Sequence, residues 1–401
     1  MEIICPKEKC TGCSACMNVC PKGAITMIEH EPLGHIYPVI DNTKCIDCHL
    51  CEKTCPVNSP VSLQKPLDAY AAISRDYDDL MSSSSGGAAS VFSHVIVEHG
   101  GVVYGCVQQN YKNIRHERIE RKEELYKLKG SKYVQSNIGY VYSDVKRDLK
   151  NGKLVLFTGT PCQIAGLRSY LKKEYENLYT IDLVCHGVPS QRLLREEVNY
   201  MLGTDTTEAY VHFRRKGKPY ARMYGLFLSN CSKVDKKKEL FLYNDYITAF
   251  MDGLILRKNC YSCPYAQGSR CSDITVSDYW GIGKTTVKTD CGISLILQNT
   301  AKATSLIEMS RQYLHIEKRT VEEAIAGNGR LMTASKEPAY RTSFIEDYQA
   351  IGRRAFKKHL KSYKKNWIRC YLKKRSLFSK MRSHIRKTPF IYNIYKTLKN
   401  K

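Results

Sequence analysis

No stretch of this 401-residue chain approaches the roughly 20 consecutive apolar residues that a membrane-crossing helix needs. The first residues, Met1-Glu-Ile-Ile-Cys5-Pro-Lys-Glu, have no apolar core of the kind that marks a secretory leader. Both lacks point to a reducing, cytoplasmic setting, in which the 18 cysteines serve as thiolates rather than disulfides. Acidic residues are missing from one region altogether. Between Arg353 and Lys401 there are 18 Lys or Arg and no Asp or Glu, so the formal +24 of the chain leaves only +6 for its first 352 residues. The body is mildly basic and the charge belongs to a tail. An apolar fraction of 43% is enough for a sizeable core, and the length suits two or three domains.

What is abundant is cysteine, and its spacing is regular. Cys10-Thr-Gly-Cys13-Ser-Ala-Cys16-Met-Asn-Val-Cys20-Pro21 is repeated as Cys45-Ile-Asp-Cys48-His-Leu-Cys51-Glu-Lys-Thr-Cys55-Pro56. Each run has the C-x2-C-x2-C-x3-C-P spacing of bacterial ferredoxins, in which the fourth cysteine of each run ligates the other [4Fe–4S] cluster. The expected ligand sets are Cys10, Cys13, Cys16 and Cys55 for one cluster, and Cys45, Cys48, Cys51 and Cys20 for the other. A structural zinc site pairs its cysteines and has no use for the third in-phase one.

Along the chain, β-prone stretches 24–27 and 36–40 accompany the cysteine runs, and Asn58–Pro66 has linker composition. From Leu67 strands and helices alternate: strands near 68–73, 102–107, 153–157, 178–184 and 293–298, and helices near 90–98, 163–174, 245–257 and 301–314. Residues 210–214, 224–229 and 240–243 are spaced like antiparallel hairpin strands. The expected architecture is an α+β ferredoxin-like domain over 1–65, then an α/β mixed-sheet domain in two parts, 66–205 and 206–350. A basic, helical, amphipathic tail follows over 351–401, with Phe356, Leu360, Tyr363, Trp367, Tyr371 and Leu372 along one face.

A second cysteine group, Cys260, Cys263 and Cys271, suggests a third iron–sulfur cluster, with zinc or redox-active thiols as rivals. Its fourth ligand would be Cys162 or Cys185, each on a tight turn past a strand, where α/β sheets present functional groups. Cys5, Cys106, Cys231, Cys291 and Cys370 are isolated and read as small apolar fillers or surface thiols. Two loops suit an anion: Ser82–Ala89 entering a helix, and Lys129–Ser136. Either is also compatible with a helix cap or a charged turn.

Five motifs in order, Ser85-Gly86-Gly87, Gly130-Ser-Lys-Tyr133-Val-Gln-Ser136, Gly159-Thr-Pro161-Cys162-Gln163, Cys185-His186-Gly187 with Pro189-Ser190, and Asp273-Ile-Thr-Val-Ser-Asp278-Tyr-Trp280-Gly281, resemble the coenzyme F-420 hydrogenase/dehydrogenase beta-subunit family over about residues 1–300. The resemblance implies a non-covalent FAD touching Ser85, Gly86, Gly87, Lys132, Tyr133 and Thr160. It also implies [4Fe–4S] clusters that exchange electrons with the flavin, one of them at Cys260, Cys263 and Cys271 beside it. The family includes bacterial members associated with surface-polysaccharide genes, so the substrate stays open.

The expected function is that of an iron–sulfur flavoprotein oxidoreductase. Electrons pass between the clusters and a redox partner protein or a small-molecule donor or acceptor, and the flavin performs hydride exchange with coenzyme F-420 or another small molecule. His186 and Lys132 are the candidate catalytic residues for handling protons or anions; a turn histidine bonded to backbone is the alternative for His186. The alternative function is a non-catalytic, ferredoxin-type adaptor for a partner enzyme. The tail suits the anionic inner face of a membrane first, an acidic partner second and nucleic acid last, because no recognition motif accompanies the charge.

Overall fold

The computed structural model describes residues 3–203, 209–216, 223–229, 238–240, 244–287 and 291–374. Cys231, residues 241–243 of the third hairpin strand and the tail beyond residue 374 lie outside them. For residues 223–224, 238–240 and 367–374 the backbone alone is described.

The N-terminal segment is a two-stranded antiparallel hairpin, β1 (Ile25–His30) and β2 (His35–Ile40), in the register Ile25 opposite Ile40. Short helices Ala15–Val19 and Leu50–Lys53 follow the cysteine loops. Together they enclose a small core of Ile4, Met17, Ile25 and cysteine side chains.

The next strands are β3 (Asp68–Ser74), β4 (Val102–Asn110), β5 (Asn113–Ile119), β6 (Val155–Gly159) and β7 (Leu178–Leu183). A hairpin sheet follows, made of β8 (Tyr210–Arg215), β9 (Met223–Ser229) and β10 (Lys238–Leu240). The chain then returns with β11 (Ile274–Asp278), β12 (Ser294–Gln298) and β13 (Leu314–Arg319). Eight of these form one mixed sheet in the order β13-β3-β12-β11-β7-β6-β4-β5. Its centre, β4, β6, β7 and β11, is parallel, and antiparallel strands close both edges.

Period-2 alternation sorts the side chains of the sheet onto two faces. Val103, Leu156, Ile181 and Ile296 pack under helices Ala88–Glu98 and Ala303–Ser310. Val102, Tyr104, Val155 and Phe157 pack under helices Val141–Lys150 and Pro161–Leu171. With both faces covered, β6 and β7 are near-continuous buried runs, as central parallel strands require. A further core unites the hairpin sheet with helices Gln191–Leu202, Asp245–Asp252 and Arg341–Ile351.

Two expectations change. The helix read as reaching Arg257 stops at Asp252, because Gly253 adopts φ 83° as its C-terminal cap and turns Leu254–Arg257 inward. The tail forms a helix over Arg354–Lys374, but its first turns do not present a free apolar face. Phe356 and Leu360 are buried in the core with Phe344 and Tyr348. Arg353 pairs with Glu197 at 2.8 Å, and Lys364 with Asp245 at 2.8 Å. The apolar residues assigned to a membrane begin, in fact, as core residues.

Candidate metal centres

The two N-terminal cysteine runs cross over. One cavity is lined by Cys10, Cys13, Cys16 and Cys55; another is lined by Cys45, Cys48, Cys51 and Cys20. The loops curl through left-handed residues: Gly12 and Ser14 at φ 68° and 63°, Asp47 and His49 at φ 50° and 57°. Alternating handedness turns successive N–H groups inward, which favours an anionic group in the concavity. Among the described residues no three or more His, Cys, Asp or Glu side chains close round a single ion. The quartets line cavities instead, and a cavity walled by four cysteines fits a cubane cluster.

The cavities differ in setting. Cys10, Cys13, Cys16 and Cys55 are buried, whereas Cys48 is exposed beside Ile46, itself 57% exposed. Burial pushes the Cys13 thiol up to about 11. Metal binding, which needs the thiolate, must therefore drive that proton off. Cys5, read from sequence as an isolated filler, lies in the wall of the buried cavity. Its thiol hydrogen-bonds to Cys10 and Cys55, which raises the Cys5 pKa; the same contact is the largest cause that lowers Cys10 to about 6 and Cys55 to about 7.

The second cysteine group forms at the C-terminal edge of the parallel strands. Cys162 sits in the first turn of helix Pro161–Leu171, directly after β6, and Cys185 follows β7. Cys260 and Cys263 come from the turn Lys258–Ser262 and its end. Burial raises all four thiols, and they raise one another: Cys263 and Cys185 act on Cys162, Cys260 and Cys263 on Cys185, Cys162 and Cys263 on Cys260. Both Cys162 and Cys185 are thus brought in. Cys271 is buried in the same cluster as Cys162 and Cys263; its Sγ donates to the Pro161 carbonyl at 3.3 Å, and its charged neighbours are Asp182, Arg270 and Arg168. Buried Arg270 fixes this loop, pairing with Asp182 of β7 at 3.0 Å and donating to the Tyr265 carbonyl at 2.9 Å.

Glycines let these groups approach. A Cβ on Gly166 would stand 3.0 Å from Cys13 Sγ, so the helix that carries Cys162 lies against the buried N-terminal cavity. A Cβ on Gly187 (φ 116°) would stand 2.7 Å from Leu256 and 3.1 Å from Cys260 Cβ.

Arg257, which no sequence pattern singles out, is 1% exposed at the seam. Its Nε donates to the Cys10 carbonyl at 2.7 Å, Nη2 to Cys10 Sγ at 3.5 Å and Nη1 to Gln135 Oε1 at 3.3 Å, and its guanidinium lies 4.1 Å from the Tyr37 ring centroid.

The six residues assigned to a flavin are engaged internally. Ser85 Oγ donates to the Ile293 carbonyl at 2.8 Å. A Cβ on Gly86 would stand 2.2 Å from the Ala72 carbonyl, and one on Gly87 2.9 Å from the Asp79 carboxylate, which occupies the start of helix Ala88–Glu98. Lys132 Nζ donates to the carbonyls of Leu128, Lys129 and Gly130, and burial lowers its pKa. Tyr133 stacks on Phe250 at 4.8 Å. Thr160 forms a capping box with Gln163. The two loops are tied together, Lys129 to Asp79 at 2.7 Å and the Ser131 amide to Ser84 Oγ at 2.6 Å. These contacts hold the six residues to their own neighbours. His186 is held as a turn histidine: Nε2 donates to the Phe250 carbonyl at 2.9 Å, and burial lowers its pKa to about 4.

The model of the C-terminal part of the coenzyme F-420 hydrogenase/dehydrogenase beta-subunit family matches residues 152–323, and a 4Fe-4S dicluster domain matches residues 9–59. A coenzyme F-420-dependent sulfite reductase from Methanocaldococcus jannaschii is 25% identical over 242 residues, which are 58% of this chain and 36% of that protein. This chain therefore spans about a third of that relative's length. An uncharacterized ferredoxin from the same organism is 39% identical over 59 residues, 15% of this chain and 74% of the ferredoxin. Among solved structures, a chain of the F-420-reducing [NiFe] hydrogenase complex from Methanosarcina barkeri has a TM-score of 0.45 at 15% identity, covering 73% of this chain and 95% of that one. Iron–sulfur electron transfer of the oxidoreductase type is the chemistry these relationships carry. The chain thus carries a 4Fe-4S dicluster domain over residues 9–59 and, over residues 152–323, the C-terminal domain of coenzyme F-420 hydrogenase/dehydrogenase beta subunits.

Proposed function

We propose that this protein is a three-cluster electron relay. Cys45, Cys48, Cys51 and Cys20 would hold an exposed cluster, open to a redox partner protein. Cys10, Cys13, Cys16 and Cys55 would hold a buried cluster, which the Gly166 contact would bring beside a third. For that third cluster we assign Cys162, Cys185, Cys260 and Cys263, with Cys271 buried beside Cys162 and Cys263. The carrying observation is the crossed lining of the two N-terminal cavities together with the contact of Cys13 on helix Pro161–Leu171. Cubane clusters supply one-electron chemistry. The chain holds them with cysteines, keeps water from the inner one and brings it beside the next.

The finer reading, from the family resemblance, is an oxidoreductase in which Ser85, Gly86, Gly87, Lys132, Tyr133 and Thr160 would hold FAD, which would supply hydride chemistry toward a deazaflavin-like small molecule. Binding FAD there would part the Lys129–Asp79 and Ser131–Ser84 links. The internal engagement of those six residues favours a second reading, a flavin-free adaptor that delivers electrons to a partner enzyme. Anaerobic purification followed by iron, sulfide and flavin determination separates the readings. Iron for three clusters with FAD supports the oxidoreductase; the same iron without flavin supports the adaptor; iron for two clusters or fewer rejects the relay.

A further inference from the structure

Arg257 carries a buried charge with no carboxylate partner among the described residues. An isolated guanidinium taken out of water costs several kcal/mol unless an opposite charge is at hand. Its three donors reach the Cys10 carbonyl, Gln135 Oε1 and Cys10 Sγ. Of these, only the sulfur can become negative, as it must to ligate a cluster. Four thiolates around a [4Fe–4S] core leave a net negative charge in both redox states, larger after reduction. A fixed cation and a hydrogen bond to a ligand sulfur both stabilise the reduced state and raise the reduction potential.

The two repeats match in spacing and differ here. Around the buried cavity, Gly12 has no side chain because a Cβ would stand 2.6 Å from Gln135 Nε2 and 2.9 Å from Arg257 Nη1. Gln135 Nε2 donates to the Thr11 carbonyl at 3.1 Å, which aims its oxygen at the guanidinium. In the second repeat the position matching Gly12 is Asp47, an exposed carboxylate 3.7 Å from Cys45 Sγ. The first cavity thus meets a cation that is fixed and buried, whereas the second is lined by Lys22, Asp47 and His49 at the surface, where water screens their charges.

We propose that Arg257 is the built-in counter-charge of the buried cluster and sets its potential above that of the exposed one, which gives the relay its inward direction. This rests on the cluster assignment proposed above. An electron from an external one-electron donor reduces the exposed cluster. It then passes inward, so that the buried cluster is reduced as the exposed one is reoxidised, with no bond made or broken.

The test is an anaerobic redox titration of the full-length holoprotein with dithionite, followed by electron paramagnetic resonance, with Cys48→Ser used to assign the exposed cluster's signal. In Arg257→Gln the buried cluster's midpoint is expected to fall by at least a tenfold change in its reduction equilibrium, about 59 mV for a one-electron couple. The exposed cluster's midpoint stays in place. Arg257→Lys, which keeps the charge, retains most of the wild-type midpoint. Gln135→Glu, which keeps Arg257 but sets a carboxylate against it, lowers the same midpoint. If Arg257→Gln arrives short of iron, Gln135→Glu and Arg257→Lys decide the matter by the same readout. A buried-cluster midpoint unmoved in iron-replete variants, or both midpoints moving together, overturns the role of Arg257. A wild-type protein without [4Fe–4S] iron and sulfide overturns the cluster assignment instead.

Discussion

Residues of one type take different duties here according to what surrounds them. Cys5 lines the buried cavity with four other cysteines, yet stands outside the C-x2-C-x2-C spacing and bonds to Cys10 and Cys55 through its thiol. We therefore expect Cys5→Ala to keep its full iron content while Cys16→Ser loses that of one cluster, as measured by iron and sulfide determination. His116 shows how a buried histidine serves packing. Its ring stacks on Phe157 at 5.2 Å, Nε2 donates to the Thr158 carbonyl at 2.9 Å, and Nδ1 accepts from Ser136 Oγ at 3.0 Å. Burial lowers its pKa to about 4 from 6.5. Between those values the unfolded chain binds a proton that the native one does not, so stability falls as pH falls from about 6.5 towards 4. The loss from this group approaches about 3 kcal/mol at the acid end. Denaturant titrations of wild type and His116→Gln across that range should show a flatter pH slope in the variant; parallel slopes would remove His116 as a cause. Arg257 and Cys5 escaped sequence reading because an isolated residue carries no spacing signal, and their importance comes from neighbours that no local motif connects to them.

Elements were legible where burial on both faces or a cap stamped a pattern on the sequence. Strands β3, β4, β6, β7 and β12 and the helix after β6 were expected close to where they form. The edge strands were not. In β5, Asn113-Ile-Arg-His-Glu-Arg-Ile119, and β13, Leu314-His-Ile-Glu-Lys-Arg319, charged residues sit at the sheet margin, which guards against edge pairing and erases the apolar signature of a strand. The tail helix shows the converse problem. Its apolar stripe was visible, but a stripe does not say whether a membrane or the protein's own core will cover it. Since Phe356 and Leu360 are core residues, Phe356→Ala should cost about 3–5 kcal/mol and Leu360→Ala about 2–5 kcal/mol in denaturant titrations. Values near zero would mean that the helix is not docked. The membrane proposal accordingly belongs to the chain after residue 374. Sedimentation with anionic liposomes should lose the protein when residues 375–401 are removed, and equal sedimentation of both forms would reject it.

At the scale of the whole molecule, the two cysteine-bearing parts are joined at the cavities themselves. Asn18 Nδ2 donates to the Gly139 carbonyl at 2.7 Å, Asn259 Nδ2 to the Lys9 carbonyl at 2.9 Å, and Arg195 pairs with Glu29 at 2.7 Å, while Arg257 and Gln135 close over the Cys10 loop. Removing iron anaerobically with a chelator should therefore lower the melting temperature of the entire chain, read by circular dichroism of the large sheet as well as by the N-terminal absorbance. A sheet transition that ignores iron would mean that the parts are energetically separate. The chemistry was determined by sequence alone: ligand spacing within a run is local, and eight cysteines in C-x2-C-x2-C-x3-C-P order leave little else for them to bind. Ordered motifs likewise carried the family. What only the tertiary structure decided is which distant groups share a space. The sheet order brings Cys162 and Cys185 to one edge beside Cys260 and Cys263 and sets Arg257 against Cys10. The reason is physical: these contacts depend on close packing and burial between segments far apart in the chain, and no short-range pattern records them.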